Sequence, residues 1–180
     1  LVLAAAVAAL GAGCTKIETD ITQGWDAQRL YEEARTAASD SDWTRAQDYY
    51  TKLESRYPFG RYAQQAQIES AYAYWRDGDA AQCVQACDRF LRQYPNHANS
   101  DYVLYLKALA TLNQRDTIFT ALLTQDIYER DSDAARTAFD TFKELVERFP
   151  QSRYAHEARR RMHELVLSQA HSEYNIAKFY

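Results

Sequence analysis

The chain is poor in residues that interrupt regular structure, with three prolines and five glycines in 180 residues. So few turn formers leave a largely helical chain. Basic charge is not in surplus either: the formal net charge is −4, which argues against the basic surface a nucleic-acid partner needs. No apolar run can span a bilayer, because the stretch LVLAAAVAALGAG at residues 1–13 falls short of the ~20 residues required. Catalytic patterns are missing too. There is no glycine-rich phosphate loop, no Gly-x-Ser-x-Gly elbow and no His-Glu-x-x-His pair. The four histidines, His97, His156, His163 and His171, have no cysteine or carboxylate partners at ligand spacing. Cys83 and Cys87 lie four apart on one helical pattern, where a disulfide would be strained, and read as small buried hydrophobes. The expectation is a non-enzymatic protein with no cofactor and no metal.

What is present is repetition. Each of the three prolines closes the same pattern: Ala46-x3-Tyr50-x2-Leu53-x4-Pro58, Cys83-x3-Cys87-x2-Phe90-x4-Pro95 and Ala138-x3-Phe142-x2-Leu145-x4-Pro150. A small residue followed by apolar residues four and seven positions later marks one face of a helix. The aromatic-proline pair then ends that helix, because the residue before proline is driven out of the α region. Pro58 and Pro95 are 37 residues apart; Pro95 and Pro150 are 55 apart, one period plus an 18-residue insertion. Ala34, Ala71 and Ala108 recur at the same 37-residue spacing in the preceding helices. Small residues facing each other on paired helices are the mark of a tetratricopeptide-like repeat, here about one turn longer than the usual ~34 residues.

The expected fold is all-α, a solenoid of about three and a half helix pairs. Repeat one spans about Trp25 to Pro58, repeat two about Arg61 to Pro95, and repeat three starts near Ser100. The insertion, placed at 113–131, carries Ile118, Phe119, Leu122 and Leu123 and is expected to add a short helix. Repeat four opens at Arg153, where Pro150-x2-Arg153-Tyr154-Ala155-x2-Ala158 copies Pro58-x2-Arg61-Tyr62-Ala63-x2-Ala66, and the sequence reads as cut at both ends. Residues 1–13 read as the remnant of a signal peptide, 14–24 as a tether and 25–180 as the repeat domain. Small residues ahead of Cys14 resemble the bacterial lipoprotein box, although Gly11 stands where leucine is usual. Cys14 is therefore the expected lipid attachment site.

A repeat stack offers a concave face lined by the first helix of each pair. The alanine register puts Tyr31, Arg35, Ile68, Tyr72, Trp75, Arg76, Tyr102, Tyr105 and Leu109 on that side, with about half expected to pack between repeats instead. Tyr72, Trp75, Arg76, Tyr102 and Tyr105 are the candidates for a peptide-binding groove, since rigid aromatics serve as anchors. Glu69, two residues before Ala71, is expected on the far side of its helix.

Several segments are more specific than the repeat. Leu53-x2-Arg56-Tyr57-Pro58-Phe59-Gly60-x-Tyr62-x-Gln64-Gln65 is followed by Tyr72-Ala73-Tyr74, Asp88-Arg89-Phe90, and Pro95-x-His97-x-Asn99-x-Asp101-Tyr102-Val103-x-Tyr105. Ala138-Phe139-x2-Phe142 and Glu173-Tyr174-x2-Ala177-x-Phe179-Tyr180 complete the set. Together they resemble the BamD (ComL/YfiO) family of outer-membrane protein assembly lipoproteins. The resemblance implies a lipid-anchored protein of the outer membrane facing the periplasm, a subunit of the β-barrel assembly machine. Its implied partners are BamA, the smaller lipoproteins and unfolded outer-membrane β-barrel proteins, whose C-terminal segments the first repeats would receive. A second reading is a cell-envelope scaffolding lipoprotein of the Tol-Pal-associated repeat type.

Overall fold

The computed structural model describes residues 20–113 and 127–179. Seven helices run in order: α1 (Ala27–Ser39), α2 (Trp43–Arg56), α3 (Arg61–Arg76), α4 (Ala80–Gln93), α5 (Ser100–Asn113), α6 (Ile127–Arg148) and α7 (Ala155–Phe179). Each packs on the next, and α1 also meets α3 as α3 meets α5. One layer is therefore built from the first helices of the pairs and the other from the second helices, a tetratricopeptide-like stack with α7 opening the fourth pair. Ile118, Phe119, Leu122 and Leu123 lie outside the described residues. Ile127 to Asp131, placed with the insertion on sequence, belong to α6.

The helix limits follow from local chemistry. Asp26, Asp42 and Asp79 accept the backbone N–H of Arg29, Arg45 and Gln82 at 2.8, 3.1 and 3.0 Å, caps worth about 1 kcal/mol each. At the other ends, Tyr57 and Tyr94 stand before proline at φ/ψ of −131°/66° and −133°/63°. Both have left the α region. The turns inside the pairs are built alike. The N–H of Gly78 bonds to the carbonyl of Trp75 and that of Asp79 to Tyr74, as those of Ser41 and Asp42 bond to Ala38 and Ala37. This is the Schellman closure, which needs a left-handed residue. Gly78 supplies it at φ +86°, and Ser41 adopts it at φ +61°.

The core confirms the register. Ala34, Ala71 and Ala108, with Ala46, Cys83 and Ala138 opposite, are all buried, as are Tyr50, Cys87 and Phe142 and the next tier, Leu53, Phe90 and Leu145. Cys83 and Cys87 are free thiols in this core. Burial of α3 goes further, with every residue from Ala63 to Trp75 at least partly covered, because α1, α2, α4 and α5 surround it. Glu69, like the rest of the middle of α3, is therefore not fully exposed. Instead of lying on a tolerant face, it is half-buried and accepts from Tyr31 Oη at 3.1 Å, Gln65 Nε2 at 3.1 Å and Tyr50 Oη at 3.3 Å.

Residues 20–25, mostly assigned to the tether on sequence, are stitched to the end of α2. Arg56 donates to the carbonyl of Thr22 at 2.6 Å, to its hydroxyl at 2.9 Å and to the carboxylate of Asp20. Tyr57 Oη donates to the carbonyl of Trp25 at 2.8 Å. The Thr22 hydroxyl and N–H, with Lys52 beyond them, hold the Asp20 carboxyl down at about 2.

Candidate functional site

A cleft of about 500 Å³ opens on the first-helix layer, between α3, the start of α5 and the start of α7. Gln65, Ile68, Glu69 and Tyr72 line it from α3, Ala98, Asn99, Asp101 and Tyr102 from the opening of α5, and Arg153 and Tyr154 from the opening of α7. Helical spacing explains the α3 set: positions 65, 68, 69 and 72 are three and four apart and share a face. The cleft has the size and the mixed apolar and polar lining of a ligand site.

Two of the five candidates from sequence, Tyr72 and Tyr102, line the cleft directly. Tyr72 is oriented by Arg76, whose guanidinium donates to its hydroxyl at 2.8 Å and also lies over the Trp43 ring at 4.8 Å. Trp75 packs against Tyr72 with ring centroids 5.9 Å apart and belongs to the core between α3 and α4; its indole N–H is buried without a partner among the described residues. Tyr102 is half-buried, and that burial pushes its phenol well above its ordinary pKa, so it stays neutral. Tyr105 stacks on Tyr154 at 4.9 Å and 19° and reaches Phe142 at 6.1 Å, supporting the cleft from behind. Leu109 packs in the same α5–α6–α7 core. Tyr31 stands at the preceding joint, 5.6 Å from Tyr62, with Arg35 at 6.0 Å over its ring. Cys14 lies outside the described residues.

The periodicity reading missed Gln65, Asn99, Arg153 and Tyr154, although the copied Arg-Tyr pair at 61–62 and 153–154 was the available signal. Each arginine covers its tyrosine, Arg61 at 4.9 Å over Tyr62 and Arg153 at 4.7 Å over Tyr154. Charge in the cleft is largely committed. The oxygens of Glu69 face three donors, as described above. Asp101 accepts from Ser152 Oγ at 2.6 Å and from the Tyr102 N–H at 2.7 Å, which fastens the start of α5 to the turn before α7. The aromatic wall, the amides of Gln65 and Asn99 and the arginine suit an extended peptide. Among the described residues, no group of histidine, cysteine and carboxylate side chains could hold a metal ion, and no helix is long and apolar enough to cross a membrane.

Residues 24–180 match the model of the YfiO family, described as outer membrane lipoprotein. The chain is 42% identical over 168 residues to outer membrane protein assembly factor BamD of Neisseria meningitidis serogroup B, covering 93% of this chain and 63% of that protein. It is 36% identical over 165 residues to the protein of that name in Vibrio cholerae serotype O1, covering 92% and 67%. The Xylella fastidiosa (strain 9a5c) protein of that name is 36% identical over 170 residues, covering 93% and 58%. The chain thus spans about three fifths of the length of the first of these relatives. With the match running through every described helix, the chain belongs to the YfiO family of outer membrane lipoproteins.

Proposed function

We propose that this protein is a non-catalytic subunit of the machinery that assembles β-barrel proteins into the outer membrane, and that its cleft receives an extended segment of an unfolded barrel precursor. The names carried by its relatives support the assembly role. The observation that carries the binding role is the aromatic-walled cleft on the first-helix layer, with Tyr72, Tyr102 and Tyr154 around it. In this reading Cys14 carries the lipid that holds the domain at the periplasmic face of the outer membrane, and BamA and the accessory lipoproteins are its partners.

The test is binding of a barrel protein's C-terminal peptide to the wild type and to a Tyr72→Ala/Tyr102→Ala variant, with circular dichroism alongside. Loss of two aromatic anchors should weaken binding by roughly 2 kcal/mol or more while the helical signal stays. Unchanged affinity would move the site elsewhere. Purification from solubilised outer membrane should bring down BamA; recovery of Tol-Pal components instead would favour the scaffolding reading.

A further inference from the structure

One turn of the stack departs from its copies. The residue after each helix-stopping proline is Phe59, Asn96 and Gln151. Asn96 and Gln151 are exposed and polar, as suits a turn. Phe59 takes the same place and is 88% exposed, leaving unclaimed the stabilisation that burial of its ring would bring. The turn around it is held firmly. Tyr57 donates its hydroxyl to the carbonyl of Trp25 at 2.8 Å, Pro58 fixes its own φ, and Gly60 follows at φ +97°. Ile21, 73% exposed, lies between Asp20 and Thr22, the two residues that Arg56 holds. Within residues 20–113, Ile21, Tyr57 and Phe59 are the large hydrophobic side chains left exposed. All three belong to this one corner.

We infer, resting on the lipid anchor at Cys14 proposed above, that this corner seats on the surface of the bilayer. Asp20 stands six positions after Cys14, so the anchor holds this part of the stack closest to the lipid. Ile21 and Phe59 enter the boundary between headgroups and acyl chains, the depth at which peripheral proteins bury apolar side chains. Tyr57 lies at the headgroup level, where amphipathic rings settle. The cations here divide into two sets. Lys52 and Arg56 are committed to Asp20. Arg29 and Arg61 are exposed, lie over the Trp25 and Tyr62 rings at 4.4 and 4.9 Å, and have no acidic partner among the described residues. They are the pair that faces lipid phosphates. Asn96 and Gln151, in later copies of the turn, have no lipid to meet and stay polar. An acyl anchor alone fixes distance and leaves rotation free; this second contact fixes which side of the first repeat faces the membrane.

The test places a nitroxide on the intact lipidated chain in vesicles of phosphatidylethanolamine and phosphatidylglycerol. Cys83 and Cys87 are buried and the lipid would block Cys14, so one introduced cysteine is labelled alone. Gln23→Cys reports on the corner, and Ser39→Cys, exposed at the far end of α1, is the control. On vesicles the Gln23 label should collide several-fold less with an aqueous nickel complex than the Ser39 label. Ile21→Ser/Phe59→Ser should return the Gln23 label to water, while the lipid keeps the protein on the vesicles and circular dichroism is unaltered. Equal nickel access at both labels would overturn the inference and leave the anchor standing. So would shielding that survives the double serine variant, since the short tether alone would then account for it. Shielding in native outer membrane but not in lipid vesicles would assign Ile21 and Phe59 to a protein partner and overturn the lipid assignment. A chain recovered without lipid on its cysteine would overturn the anchor and this inference together.

Discussion

Ser41 and Gly78 do the same task at the same place in successive repeats with different residues. A non-glycine residue in the left-handed region is strained by its Cβ, and Ser41 accepts that strain at φ +61°. Ser41→Gly should therefore raise stability by a few tenths of a kcal/mol to about 1 kcal/mol, since relief of strain outweighs the greater entropy of glycine in the unfolded chain. Gly78→Ala should lower stability by about 1 kcal/mol, even though an added Cβ meets nothing within 4 Å. Denaturant midpoints of the two variants check both signs. Tyr31 gives a second test. Burial first, and then the charge of Glu69, push its phenol from 10.0 up to about 12. In the unfolded chain the proton leaves near 10, so its contribution to stability is complete below that pH and is lost as pH rises towards 12. Tyrosinate absorbance followed with helicity should show ionisation of a fraction of the tyrosines delayed until the helices melt. A single step near 10.0 with helicity intact would contradict this burial.

At the scale of the element, α3 is the helix on which the others depend. Ala71→Trp forces a large side chain into the crossing between α3 and α4 and should cost about 1–3 kcal/mol. No position in the middle of α3 can serve as an exposed control, so the comparison belongs on α4, where Gln85 is exposed and a Trp should be tolerated within about 0.5 kcal/mol. Equal melting of the two variants would mean that the crossing is not close. The helix pairs were legible in the sequence because proline stops and small-residue spacings are local and repeat. Tyr50, Leu53, Phe90, Phe142 and Leu145 were marked by the pattern and are buried. The cleft was only half legible. Tyr72 and Tyr102 follow from the helical face, whereas Arg153 and Tyr154 reach the site across a joint whose shape depends on how successive pairs stack. Glu69 was misread because a helix enclosed by four neighbours has no face where a carboxylate meets only water.

The whole molecule is a chain of neighbours, with successive cores around α1–α2–α3, α3–α4–α5 and α5–α6–α7. Leu53→Ala and Leu145→Ala occupy equivalent places in the first and last of these. Each should cost about 2–5 kcal/mol, and their effects should add to within roughly 0.5 kcal/mol, as expected where stability is a sum over repeats and their interfaces. A double variant much less stable than the sum would indicate one cooperative core; chemical unfolding of the set decides it. The stitch of Asp20 and Thr22 onto Arg56 also governs reach. Asp20 stands six positions after Cys14, and extended chain covers at most ~3.6 Å per residue, or about 20 Å. With lipid on Cys14, as proposed, the domain would be on a short leash fastened at the end of α2 through Arg56. The cleft opens beside the starts of α5 and α7, so on that proposal its mouth would stay within a few nanometres of the bilayer. If the cleft receives a precursor segment, as proposed, that segment would search a small volume, and its effective concentration at the membrane would be set by the leash rather than by diffusion through the periplasm.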